Sequence, residues 1–258
     1  MMLTVIPIRA FKDNYIWLLV NSANQHCAII DPGDAKPVID YIQKEKLLPC
    51  AVLITHHHHD HSGGVLALKE KYPAITVYGP AKEVIAGVDH KVAENDIVSL
   101  GSLGLNLTVY DIPGHTQGHV AFYGNQWVFC GDTLFAAGCG RLFEGTANQM
   151  LQSLSKIRDL PDNTLIYCAH EYTAANLRFA EVVEPGNQAI QERKKTVARQ
   201  MAQQIPTLPS QLLLEKRTNP FLRCEEQAVI DAVQSQSHET SIDPVKIFQA
   251  LRAWKDNF

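Results

Sequence analysis

Apolar residues come in short, dense runs through the first two-thirds of the chain, and most runs are rich in β-branched and aromatic side chains. LTVIPI, YIWLLVN, HCAIIDPGD, AVLITH, ITVYGP, LNLTVYDIPGH, HVAFYG, WVFCGD and TLIYCAH predict strands, with Gly, Pro, Asn and Asp supplying the turns around them. Several runs are apolar without a break, so some sheets should be covered on both faces. Helical spacing interleaves with them in AKPVIDYIQKEKLL, GVLALKEKY and NQMLQSLSKIRDL, where apolar residues recur every three or four positions. A sheet-on-sheet core with helices outside accommodates this pattern.

After about residue 174 the pattern changes. AANLRFAEVV, NQAIQERKKTVARQMAQQ, CEEQAVIDAVQSQ and DPVKIFQALRAWKDNF have helical periodicity and almost no strand signal, with breaks at EPGN and PTLPS. The division predicts a mixed domain over residues 1–173 and a smaller helical domain over 174–258. Asp243 is the expected N-cap of the last helix, with Pro244 at its first position.

Composition narrows the function classes. The 258 residues are 46% hydrophobic and 19% charged, ordinary for a globular protein with a sizeable core. A formal net charge of −4 gives no reason to expect nucleic acid or an acidic membrane surface as partner. MMLTVIPIRAFKDNYIW lacks a basic start ahead of an apolar run and reads as mature sequence, not a signal peptide. No apolar stretch reaches the ~18 residues of a membrane helix. Six cysteines, at 27, 50, 130, 139, 168 and 224, form no C-x-x-C pair. Cys50, Cys130 and Cys168 read as small buried hydrophobes, and the expected setting is a reducing cytoplasm. The chain is expected to be a monomer acting on a small molecule.

AVLITHHHHDHSGG, residues 51–64, carries the chemistry: five histidines and an aspartate in six consecutive positions, directly after an apolar strand. A core could not satisfy that many ring nitrogens without a metal. If the chain leaves the strand extended, His56 and His58 point the same way. A bend near Asp60, with a helix opening behind Ser-Gly-Gly, turns Asp60 and His61 toward a second ion, and His57 and His59 are fillers. Three other strands end in a ligand-type residue: His115 after LTVYDIPG, Asp132 after WVFCG and His170 after TLIYCA. The count assigns His56, His58 and His115 to one ion and Asp60, His61 and His170 to the other, with Asp132 able to bridge both. Imidazole and carboxylate without thiolate suit Zn, Fe or Mn, and the donor set does not choose among them. GxSxG is absent, which argues against a serine esterase.

THHHHDH, PGHTQGH, GDTLF and AHEY together resemble the metallo-β-lactamase superfamily. DNYIW, IIDPGD, GCGRLFEGTA, TNPFLR and RAWKDNF extend the resemblance over nearly the whole chain, toward the hydroxyacylglutathione hydrolases, or glyoxalase II. The resemblance implies a four-layer αββα sandwich of α+β class with a C-terminal helical domain. It implies a binuclear metal site and hydrolysis of S-D-lactoylglutathione to D-lactate and glutathione. All seven ligand positions hold the family's residue types, with Asp132 the bridging ligand that positions the hydroxide. Arg252 and Lys255, three apart on one face of the last helix, match positions that bind the glutathione carboxylate. Arg141 and Tyr172 match positions that contact the tripeptide, and Phe143 stands where some members have tyrosine. Asp31 in IIDPG is expected either to orient a ligand histidine or simply to form a turn. His119 is expected to be structural, the tryptophans at 17, 127 and 254 to be packing residues, and His26, His90 and His238 have no supporting context.

Overall fold

The computed structural model describes residues 3–237 and 240–258, so His238 lies outside the described residues. By packing, the chain falls into two units. One runs up to Asp111 and includes Gln117–Gly131; the other comprises Ile112–Thr116 and Asp132–Phe258.

In the first unit β1 (Leu3–Ala10), β2 (Asn14–Asn21), β3 (His26–Ile30), β4 (Leu48–Leu53), β5 (Thr76–Pro80) and β6 (His90–Val92) lie side by side in that order. β1 to β3 pair antiparallel and β3 to β6 run parallel. Parallel neighbours need crossovers. α1 (Ala35–Glu45) links β3 to β4, while α2 (His59–Ser62) and α3 (Val65–Lys71) link β4 to β5. α1 begins after Asp34, whose Oδ1 accepts the Lys36 N–H at 2.9 Å, an orphan donor of the first turn.

The unbroken apolar run of β2 is buried along its whole length. Ile16, Leu18 and Val20 pack with Val38 and Ile42 of α1 and with Val65 and Leu68 of α3. Trp17 and Leu19, on the opposite face by strand alternation, are also buried. A second sheet of the same unit is an antiparallel meander of β7 (Ile97–Leu100), β8 (Leu105–Asp111), β9 (Val120–Gly124) and β10 (Trp127–Gly131). Along β8, Leu105, Leu107 and Val109 are buried and the intervening Asn106 and Thr108 are not, so one face turns inward.

The second unit holds the hairpin of β11 (Leu134–Phe135) and β12 (Gly138–Cys139), α4 (Ala147–Arg158), and β13 (Leu165–Cys168) paired antiparallel with β14 (Ser210–Gln211). The remaining helices are α5 (Thr173–Val183), α6 (Gln188–Ala202), α7 (Leu212–Thr218), α8 (Gln227–Ser237) and α9 (Pro244–Asp256). Asp243 caps α9 by accepting the Val245 N–H at 3.0 Å, with Pro244 beginning the helix. Phe179, Phe221 and Phe248 are fully buried, and Trp254 and Phe258 each meet the Phe179 ring at 5.3 Å. α7 and β14 leave no periodic signal in the sequence. LLLEKRT spans only two turns, too few for a helical period to register, and it is held by burial of Leu212, Glu215 and Thr218.

All six thiols are free; Cys130 and Cys168 are buried but Cys50 is half-buried. Among the described residues no helix is long and apolar enough to cross a membrane.

Candidate active site

In the first unit the site grows from the end of β4. Thr55 and His56 follow it, both fully buried. The backbone turns helical at His59, so Asp60 and His61 lie within the short α2, and α3 opens behind Ser-Gly-Gly as the sequence predicts. His56 Nε2 and His58 Nδ1 come within 3.1 Å. Asn14, opening β2, donates to Asp60 Oδ2 at 3.0 Å. His57 does more than fill space: its Nδ1 is 3.1 Å from Oε2 of buried Glu83, which also accepts the Gly118 N–H at 3.2 Å. His119 is fully buried and stacks on the His56 ring at 4.5 Å, a contact that its place at a strand start does not announce.

Asp31 decides where the protons of this cluster sit. Its Oδ1 accepts the Thr55 N–H at 2.8 Å and its Oδ2 the Thr55 hydroxyl at 2.7 Å. With that proton committed, Thr55 Oγ1 accepts from His56 Nδ1–H at 3.1 Å. Asp31 Oδ2 also accepts from His61 Nδ1–H at 3.1 Å. Each imidazole, when neutral, therefore presents Nε2 as its lone pair. The other ring nitrogen of His61, Nε2, faces Asp60 Oδ2 at 3.7 Å. Asp31 serves its turn as well, with φ 52° and its carbonyl accepting the Gly33 N–H at 2.9 Å. Asp31→Ala is expected to weaken metal affinity by roughly 10–100-fold, read by chelator competition; wild-type retention would refute this orienting role.

The second unit repeats the signature. His115 donates Nδ1–H to the Arg141 carbonyl at 2.9 Å, which turns Nε2 toward Asp132 Oδ2 at 3.5 Å. The same carboxylate oxygen lies 3.3 Å from His170 Nε2. All three side chains are buried. Donors of this kind, imidazole nitrogen and carboxylate oxygen turned toward each other without thiolate, fit a divalent ion.

Close packing requires the glycines of GCGR. A Cβ on Gly140 would lie 1.9 Å from the Asp132 carbonyl oxygen, and one on Gly138 would lie 2.5 Å from Asn176 Nδ2. Only a bare backbone can pass so close to Asp132.

His115, Asp132, Tyr172, Phe143, Arg141, Arg252 and Lys255 all line one cavity of about 410 Å³. Tyr172 stacks flat on His170 at 4.8 Å, and Phe143, 63% exposed, meets His115 edge-on at 5.2 Å. Arg252 is buried, donating to the Cys139 carbonyl and to Asp256 Oδ1, each at 2.9 Å. Arg141 is exposed, its Nε 3.4 Å from that same Asp256 oxygen. Lys255 is half-buried over the Phe179 and Phe258 rings. Burial first, then repulsion from Arg252, Arg178 and Arg141, lowers the Lys255 pKa, and Asp256 opposes the shift only partly. The cavity thus holds more positive charge than its own carboxylate neutralises, which suits an anionic ligand.

A lysine with a lowered pKa loses its charge earlier as pH rises. Anion affinity should therefore fall, and KM rise, below the ~10.4 of a free lysine. Lys255→Arg keeps its charge there and should flatten the alkaline rise; an identical profile in both proteins would exclude Lys255 as its source.

Residues 11–170 match the model of the metallo-beta-lactamase superfamily, and residues 171–258 match that of the hydroxyacylglutathione hydrolase C-terminus. A hydroxyacylglutathione hydrolase of Nitrosomonas eutropha is 54% identical, with both chains covered over 100% of their length. The chain belongs to the hydroxyacylglutathione hydrolase family. A second hydroxyacylglutathione hydrolase, from Photobacterium profundum, is 52% identical with 100% of both chains covered. Among solved structures, a protein crystallised in a di-iron-bound form is 25% identical with a TM-score of 0.60, covering 84% of this chain and 100% of that one. As a hydroxyacylglutathione hydrolase family member, the chain has the metallo-β-lactamase fold with a C-terminal helical region, and it is a hydrolase. Its His and Asp groups are of the kind that hold divalent metal.

Proposed function

We propose that the chain hydrolyses the thioester of S-(2-hydroxyacyl)glutathione, chiefly S-D-lactoylglutathione, to D-lactate and glutathione, as a step of methylglyoxal detoxification. One observation carries the reading: a single cavity is lined both by Asp132 and His115 and by Arg141, Arg252 and Lys255. The full-length relatives bear the same activity in their name.

His56, His58 and His115 would hold one divalent ion, Asp60, His61 and His170 a second, and Asp132 both. Zinc is the first choice, with iron or manganese as alternatives. When bound, such a pair supplies an acidified water and an electrophile for the carbonyl oxygen. The remaining work falls to the chain. Asp31 and the Arg141 carbonyl hold the imidazole tautomers that leave Nε2 available. Arg252 and Lys255 supply charge for the glycine carboxylate of glutathione, Arg141 and Tyr172 line the path of the tripeptide, and Phe143 offers an apolar wall without a hydroxyl. The departing thiolate is stable enough to leave without a strong acid. Residues 1–173 then carry hydrolysis, and 174–258 contribute Arg252 and Lys255. Six free thiols suit action in the cytoplasm.

The test supplies S-D-lactoylglutathione to the metal-loaded chain and follows free thiol release beside metal content. Thiol release that disappears with the metal is expected, and a fully loaded chain releasing none would overturn the reading. Lys255→Ala should raise KM roughly 10-fold with kcat little changed, the signature of a binding contact to a charged group.

A further inference from the structure

We propose that Asn176, Glu215 and Asn219 are positioning residues for hydrolysis: they clasp the turn of the β11–β12 hairpin and through it hold Asp132 and the backbone acceptor of Arg252. The inference rests on the function proposed above.

Every residue of the turn Phe135–Gly138 has a backbone polar group met by one of these side chains. Asn219 Nδ2 donates to the Phe135 carbonyl at 3.1 Å and to the Gly138 carbonyl at 2.9 Å. Asn176 Nδ2 donates to the Ala136 carbonyl at 3.0 Å. The Ala137 N–H donates to Glu215 Oε2 at 2.8 Å. A hairpin with strands of two residues cannot hold itself, and Ala137 sits at φ 55°, a conformation that a residue with a Cβ resists. The clasp is what keeps it there. Asn219 and Glu215 are wholly buried, and Asn219 Nδ2 also lies 3.2 Å from Glu215 Oε2, so the clasp has one defined arrangement.

Both ends of the hairpin lead into the site. Leu134 follows Asp132 by two residues. On the other side the Cys139 carbonyl accepts from Arg252, and Gly140 passes against the Asp132 backbone. In the turn itself, the Phe135 ring packs edge-on against His170 at 5.8 Å and Tyr172 at 5.2 Å. A shift of this turn therefore moves the carboxylate, a wall of the cavity and the partner of its buried arginine together. Partners of metal ligands, one bond removed from the ion, commonly govern its affinity.

The experiment compares full-length Asn219→Ala, Asn176→Ala and a stability control, Val229→Ala in α8, each loaded with zinc. Thiol release from S-D-lactoylglutathione, zinc retention against a chelator and thermal melting are measured on each. Asn219→Ala should lose roughly 10–100-fold in kcat and release zinc to about 10-fold less chelator. Asn176→Ala should move both in the same direction by less. Val229→Ala should lower melting alone. If Asn219→Ala melts lower yet keeps wild-type kcat and zinc retention, the clasp only stabilises the fold and the inference fails. Should Asn219→Ala not fold, Asn176→Ala decides by the same two readouts. A wild-type chain that retains zinc but releases no thiol would sink the proposed function instead, and zinc retention in the variants would still judge the clasp.

Discussion

Asp132→Ala is expected to lower kcat/KM for S-D-lactoylglutathione by at least ~100-fold, since even outer partners of metal ligands cost up to about that much. The carboxylate faces two imidazole nitrogens through one oxygen, at 3.5 Å from His115 and 3.3 Å from His170. Removing it deletes the oxygen that both imidazoles face. Metal content per chain should fall in parallel. The thermal behaviour gives a second, less obvious readout. Bound metal stabilises the folded chain only as far as it is held, so the loss of a ligand should show in melting as well. Added metal should raise the melting temperature of wild type more than that of Asp132→Ala. A variant that keeps both its metal and its turnover would remove Asp132 from the mechanism. One that loses stability equally with and without metal would show the carboxylate to be a structural group.

Arg193→Met should be the most destabilising single change in the helical region, by about 3–5 kcal/mol, the usual result of leaving a buried ion without its partner. Arg193 of α6 reaches Glu215 of α7 at 2.5 Å and donates to Ser210 at 2.9 Å and to Thr218. Both charged side chains are sealed from solvent. Methionine approximates the volume but removes the cation, and the remaining Asn219 and Ala137 donors to Glu215 are neutral. At this chain length the loss corresponds to a Tm lower by on the order of 10 °C. Adding Glu215→Gln should recover most of it, because a neutral buried pair no longer demands charge compensation. Equal melting of Arg193→Met and wild type, or a double variant no better than the single, would mean that water reaches the pair and screens it.

Much of the fold is legible along the chain because it rests on local periodicity. YIWLLVN is apolar on both sides and becomes a strand covered on both faces; LNLTVYD alternates and becomes one covered on a single face. The ligand-type residues stand out for a related reason: strands end where the chain exposes its turn, and His or Asp directly after an apolar run is chemically conspicuous. The clasp gives no such sign. Glu215 and Asn219 lie four apart around α7, a spacing that on any helix surface would pass as ordinary polarity, and Asn176 sits inside AANLRFAEVV like any tolerated amide. Their buried state depends on a turn some 40–80 residues upstream, to which no local pattern points. His57 and His119 are the same case on a smaller scale, each given its partner by a distant residue or ring.

By itself the amino-acid order determines the strands, the principal helices, the family and the stock of imidazoles and carboxylates, because each of these is written in spacing or in motif. Tertiary structure alone decides which nitrogen of each ring its orienting partner engages, which carboxylate or carbonyl that partner is, and which distant amides hold the turn beside Asp132. Those are choices among hydrogen-bond partners, and a partner is selected by three-dimensional proximity in a dry interior, where an unmet polar group is too costly to persist.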